Sequence, residues 1–269
     1  MEFRTIVDIA KPEFRIEPCE ELLFVGSCFA DSIGQRFREE GFPVTVNPYG
    51  TMYNPASVLH TITRCEVTPR IVFLTLGTNH IYRLKETGEI VDNCEKRPQA
   101  LFQEEELSVD ACADYLRQTI TVLRGRRPDV RVVMTVSPIR YRKYGYHESQ
   151  VSKATLLLAI EKVLPSDGIA GHCTYFPAYE IVMDELRDYR FYAADMLHPS
   201  AQAVEYIWER LVESYFSPEA KAFLDEWRPL KQALGHKPFN PDSEEYRALM
   251  DKTMLKVAEL RKKYSTFAL

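Results

Sequence analysis

Three short stretches of this chain hold side chains that could do chemistry together. The first is Gly26-Ser27-Cys28. It follows the apolar run LLFV at residues 22–25, which reads as a short buried strand. It precedes Phe29, Ile33 and Phe37, spaced four apart as on one face of a helix. A small nucleophile on a tight strand-to-helix turn stands clear of the sheet, with the unbonded N–H groups of the new helix pointing at it. An oxyanion formed beside Ser27 would meet donors there, which is what acyl transfer needs. The second stretch holds Asp195 and His198. A spacing of three lets the carboxylate fold back on the imidazole Nδ1, set its tautomer and leave Nε2 as a base. The third contribution comes from two loops. Gly50, in NPYGTMYNP, can bring its backbone N–H close to a ligand, and Asn79, just past the run IVFLTL, offers a neutral NH₂ donor. Both have a plainer alternative, Gly50 as a turn glycine and Asn79 as a cap on a backbone group.

These residues need a scaffold that gathers them. The pattern predicts strands at 22–25, 42–46, 71–76, 130–136 and 169–175. It predicts helices from 28 to 40 with Gly41 as the stop, from Asn54-Pro55 onward, from 107 to 123 with Ser108 as cap, and from Ser149 or Ser152 to 164. A short helix over 178–186 and a longer one opened by Pro199-Ser200 follow. Strand and helix alternate, so the expected fold class is α/β, a parallel sheet with helices on both faces. In such sheets the loops at the carboxyl ends of the central strands converge on one crevice. Ser27, Gly50, Asn79, Asp195 and His198 all fall on such loops. Residues 81–106, with a hairpin turn at Glu86-Thr87-Gly88-Glu89, form an excursion expected to wall the substrate site. Tyr82, Arg83, Asn93, Lys96 and Arg97 are its polar candidates, and Arg140 adds another after the strand at 130–136. After residue 216 the chain turns charged and helical. The expected division is an α/β domain at 1–216 and a C-terminal α-helical extension at 217–269, packed on it as a dimer interface or a lid.

Several stretches resemble a known family. GSCFA at residues 26–30 is similar to the signature of the GSCFA family of the SGNH/GDSL hydrolase superfamily. NPYGTMYNP, NCEKRP, TVSPIR, SKA and YFPAYEIVMDELRDYRFYAADMLHP follow in matching order. The resemblance spans residues 22–215. It implies a three-layer α/β/α sandwich and a serine esterase with a Ser27-His198-Asp195 triad. The backbone N–H groups of Ser27 and Gly50 and the Asn79 amide would form the oxyanion hole. The superfamily usually carries Gly-Asp-Ser where this chain has Gly-Ser-Cys, and a register slip of one makes Cys28 the nucleophile. Ser27 is the expected one, with Cys28 turned inward as a small core residue. The usual aspartate after the asparagine is replaced by His80, so His80 joins Tyr82, Arg83 and Arg140 as substrate contacts. The implied substrate is an O-acetyl or short acyl ester, favoured on carbohydrate. Two other readings use the same pocket: an O-acyltransferase, or a small-molecule-binding protein with a decayed site.

Composition narrows the field. At 269 residues the chain has ample core for one large domain with an appendage. A net charge of −5 argues against nucleic acid as the main partner. The remaining histidines show no paired spacing, so no metal and no cofactor is expected. With no secretory or membrane-spanning pattern and six scattered cysteines, the expectation is a cytoplasmic protein with free thiols.

Overall fold

The apolar runs become strands because their side chains are buried on both sides. In the computed structural model, which describes residue 1, residues 4–92 and residues 97–269, the chain runs through β1 (Leu22–Gly26), α1 (Cys28–Glu39), β2 (Val44–Val46), α2 (Pro55–Arg64) and β3 (Ile71–Leu76). An excursion of β4 (His80–Leu84), β5 (Ile90–Val91) and β6 (Phe102–Glu106) comes next, followed by α3 (Val109–Arg126), β7 (Arg131–Val136), α4 (Tyr146–Val163) and β8 (Cys173–Tyr175). The last elements are α5 (Ala178–Glu180), running into a π turn at Ile181–Glu185, then α6 (Ala201–Tyr215), α7 (Pro218–Gly235) and α8 (Glu244–Lys263).

The main sheet has the order β2-β1-β3-β7-β8, all parallel, so β1, β3 and β7 are its centre. Alternation along β1 divides the core. Leu22 and Phe24 face α1, α6 and the C-terminal helices, whereas Leu23 and Val25 face α2, α3 and α4. The first face is aromatic: Phe24 stacks on Phe73 at 4.5 Å, and the Phe37 ring meets Trp208 edge-on at 4.8 Å. Hydroxyl and amide caps start the helices where the sequence places them, Asn54 on α2, Ser108 on α3, Ser200 on α6, Ser217 on α7 and Ser243 on α8.

Residues 217–269 are helical and share the aromatic core. Phe223, Trp227 and Phe267 pack together, Trp227 Nε1 donates to the Glu39 carbonyl at 3.1 Å, and Ala268 N–H donates to the Gly41 carbonyl. Among the described residues no helix is long and apolar enough to cross a membrane. The described cysteines, Cys19, Cys28, Cys65, Cys112 and Cys173, are unpaired.

Two local expectations are corrected. The last strand is only Cys173–Tyr175, because Gly168 and Gly171, both at positive φ, hold the preceding segment in successive turns. Helix α4 starts at Tyr146, after Gly145, and is not capped by Ser149 or Ser152. Those serines are buried inside the helix, where their hydroxyls accept the N–H groups of Tyr141 and Asn79. They fasten loops and leave the helix start to Gly145.

Gly26 closes β1 in a conformation that only glycine holds cheaply, with φ +146. A Cβ there would lie 2.1 Å from the Thr75 carbonyl oxygen on β3. Gly26→Ala should therefore destabilise the protein by at least ~2 kcal/mol, through overpacking against backbone that cannot yield. A thermal melt beside the wild type measures it; an unchanged Tm would mean that the β1–β3 spacing is softer than described.

Candidate active site at the carboxyl edge of the sheet

The turn after β1 assigns its two small polar residues opposite duties. Ser27 is the N-cap of α1 and is wholly buried. Its Oγ accepts the Phe29 N–H at 3.3 Å and lies 3.2 Å from Thr75 Oγ1. Its own N–H donates to the Thr75 carbonyl at 2.9 Å. The hydroxyl and the amide expected to attack and to hold an oxyanion thus both have partners within the fold. Cys28, the first residue of α1, is half-buried, and its Sγ lies 3.6 Å from the Tyr53 hydroxyl. Ser27 is thus the inward residue of the turn, whereas Cys28, expected inward as a small core residue, is only partly buried and packs against the edge of the core. Packing decides this: with Phe29, Ile33 and Phe37 buried against the sheet, the position before Phe29 comes round towards the loops. Burial, and then the Cys28 thiol beside it, hold the Tyr53 phenol above its usual range. It therefore stays protonated and can donate to sulfur.

The other expected oxyanion donors each make a hydrogen bond within the fold. Gly50 is exposed, and its N–H donates to the Asn47 carbonyl at 2.8 Å within a turn. Asn47 in turn accepts the Gly26 N–H through Oδ1 and donates through Nδ2 to Asp31 at 2.9 Å, so this loop braces the nucleophile turn. Asn79 is buried, and its Nδ2 donates to the Leu107 carbonyl at 2.8 Å, tying β3 to the start of α3.

The contact between Asp195 and His198 forms as their spacing predicts. His198 Nδ1 lies 2.6 Å from Asp195 Oδ2, while Asp195 Oδ1 accepts the N–H groups of Leu197 and His198 at 2.9 and 3.0 Å. Those backbone donors, and then the imidazole, pull the Asp195 carboxyl down to about 2. The carboxylate is therefore ionised at any working pH, which sets Nδ1 as the protonated nitrogen and leaves Nε2 free. Both side chains are nearly half exposed. The loop is held to the carboxyl end of β7, since the Arg140 N–H donates to the Leu197 carbonyl and Arg140 Nη1 donates to the Met196 carbonyl, both at 3.1 Å.

Residue Tyr141, next along, joins that loop to the thiol. Its ring packs edge-on to Tyr53 at 5.7 Å, and its hydroxyl sits where a Cβ on Gly77 would be. Lys153, fully buried on α4, donates to the Gly77 carbonyl at 2.7 Å and lies 4.9 Å from the Tyr141 ring centre. No carboxylate faces it among the described residues. Burial pushes its ammonium down to about 7. One signal could have found Lys153: it occupies the same helical stripe as Ser149, Leu156 and Ile160. Tyr53 and Tyr141 carried no such signal.

Beyond Tyr53 a cavity of about 490 Å³ opens between the β4–β6 sheet and the loop after β7. His80 and Tyr82, two of the expected substrate contacts, line it. Arg83 and Arg140 do not. Arg83 is held by Glu105 and the Gly88 carbonyl, and Arg140 lies over the rings of Tyr146 and Tyr192. Arg97 lines the cavity, while Asn93 and Lys96 lie outside the described residues. Among the described residues no group of three His, Cys, Asp or Glu side chains gathers as a metal would require.

Fold and site together define a three-layer α/β/α protein with Ser27 and Cys28 on its first strand-to-helix turn and a late Asp-x-x-His pair. The chain belongs to the GSCFA family, whose model matches residues 21–68 and 64–211; the model of the GSCFA domain protein C-terminal domain matches residues 227–269. No curated protein matches it. Solved structures similar in fold include an acetyl esterase S10A mutant with acetate ion, at 11% identity and TM-score 0.46, covering 77% of this chain and 99% of that one. A protein described as a GDSL-like lipase from Parabacteroides merdae is 11% identical with TM-score 0.48, covering 76% and 98%. A carbohydrate esterase family 3 structure from Talaromyces cellulolyticus is 11% identical with TM-score 0.42, covering 77% and 99%.

Proposed function

We propose that this protein hydrolyses an ester by acyl transfer, with Cys28 as nucleophile, His198 as general base and Asp195 as the group that orients it. The single observation that carries this reading is the 2.6 Å Asp195–His198 contact, on a loop tethered to the same sheet edge as the β1–α1 turn. Such a pair has no packing role that would require it, being half exposed, and it is the form in which an imidazole is set to take a proton. Cys28 is the small nucleophilic side chain of the turn with an accessible surface, and Ser27 supports it from below as helix cap. Nε2 of His198 takes the thiol proton, and Sγ attacks the ester carbonyl. The alcohol leaves with that proton, and water then cleaves the thioester by the same base. The Cys28 N–H opens α1 with no carbonyl to bond inside the helix, so it is the oxyanion donor nearest the attack.

The test is hydrolysis of p-nitrophenyl esters of several acyl lengths. His198→Ala should lower kcat about 10²–10⁴-fold, the usual worth of a general base. Asp195→Asn should fall in the same range by losing the carboxylate that orients the ring. Full activity in His198→Ala would end this reading.

A further inference from the structure

The cavity beside Tyr53 is larger than an acetyl group needs and lies within the roughly 300–1,000 Å³ range of small-molecule sites. Its walls are mostly rings. Tyr53, Tyr82, Phe102 and Tyr141 contribute, and His80 lies parallel to Tyr144 with ring centres 3.8 Å apart. The acidic side chains in the wall are already spent. Asp92 holds His60 at 2.8 Å and Arg64 at 2.9 Å, and Glu104 holds Tyr82 at 2.9 Å and Lys143 at 3.1 Å. Little acceptor capacity remains for the many hydroxyls of a sugar.

Two buried polar atoms in this wall have no hydrogen-bond partner among the described residues. One is Nδ1 of His80, a residue only 7% exposed whose nearest carboxylate oxygen, on Glu104, is 3.5 Å away. The other is the Tyr141 hydroxyl. A buried polar atom left unpaired is costly, and a ligand is one way to satisfy it. Burial keeps the His80 imidazole in its neutral form, able to donate or accept. At the rim, the exposed Arg97 guanidinium sits 5.0 Å above the Phe102 ring, with no carboxylate partner among the described residues.

We infer that this cavity binds a planar aromatic group carrying an anionic substituent: the ring lies among the tyrosines and Phe102, beside His80, and the anion meets Arg97. Aromatic faces provide the contact area and Arg97 the discrimination by charge. The inference rests on the proposed acyl transfer only in taking this group to be part of the ester substrate, since Tyr53 touches both the cavity and Cys28 Sγ.

Binding is measured by calorimetry on full-length Cys28→Ala protein, so that no turnover is needed. The probes are 4-hydroxybenzoate, phenol, acetate and xylose. 4-Hydroxybenzoate should bind about tenfold more tightly than phenol, the worth of one charge-assisted hydrogen bond, and acetate and xylose should not bind measurably. Arg97→Gln, an exposed change, should bring 4-hydroxybenzoate down to the phenol level and leave phenol unaltered. Phe102→Leu should weaken both aromatic probes. Xylose binding as tightly as 4-hydroxybenzoate, or no difference between phenol and 4-hydroxybenzoate, would overturn the inference. If aryl binding holds while ester hydrolysis is absent, the catalytic reading falls and this one stands; hydrolysis without aryl binding gives the reverse.

Discussion

Cys28→Ala should remove ester hydrolysis almost completely, by roughly 10⁴–10⁶-fold, as loss of a nucleophile does where base and oxyanion donors survive. Ser27→Ala should leave turnover within a few fold and show its effect as lost stability. Ser27 caps α1 and meets Thr75 in the buried sheet edge, so its loss should cost about 1 kcal/mol and lower Tm by roughly 2–4 °C. Two readouts separate these roles. Iodoacetamide should block the wild type and label Cys28 in the native protein, because Cys28 is the one half-buried cysteine among the described residues and Cys19, Cys65, Cys112 and Cys173 are buried. Intact mass after a rapid ester pulse should show an acyl adduct in Ser27→Ala and none in Cys28→Ala. The opposite pattern would restore Ser27 and require the first turn of α1 to rotate from the position described.

The pH dependence of stability should carry a signature from Lys153. Its ammonium is buried with one carbonyl partner and no carboxylate, and burial pushes it down to about 7. The unfolded chain holds that proton up to about 10.4. Between those values the unfolded state binds more protons than the folded state, so stability rises with pH by just over ~1 kcal/mol per unit. Below about 7 both states are protonated and this contribution stops changing. From pH 7 to pH 9 the wild type should therefore gain about 2–3 kcal/mol relative to Lys153→Met, read from urea melts at each pH. Parallel curves for the two proteins would show that the Lys153 ammonium keeps its charge when buried. The lysine has a structural consequence as well. It holds the Gly77 carbonyl under Tyr141, and so sets the wall between the thiol and the cavity.

Much of the architecture was legible because its determinants are local. LLFV, IVFLTL and RVVMTV are apolar at nearly every position, which is the pattern of strands buried on both faces. Ser108, Ser200, Ser217 and Ser243 precede apolar-periodic runs and cap them. The Asp195–His198 contact is also local, since a carboxylate three residues before an imidazole can reach it within one turn. The strand expected at 169–175 shortened because Gly168 and Gly171 favoured turns over extension.

By itself, then, the order of residues determined a parallel α/β sandwich, the turn that carries Ser27 and Cys28, and the contact between Asp195 and His198. Only the tertiary structure decided which of two adjacent residues faces solvent. One step along a helix turns a side chain by about 100°, and the rotation of α1 is set by how Phe29, Ile33 and Phe37 seat against the sheet. Likewise Ser27, Gly50 and Asn79 each hydrogen-bond to partners 48, 3 and 28 residues away, Thr75, Asn47 and Leu107. A polar group available in the sequence is available to a substrate only if the fold has not already bonded it, and for the two longer ties that is a property of contacts between distant segments.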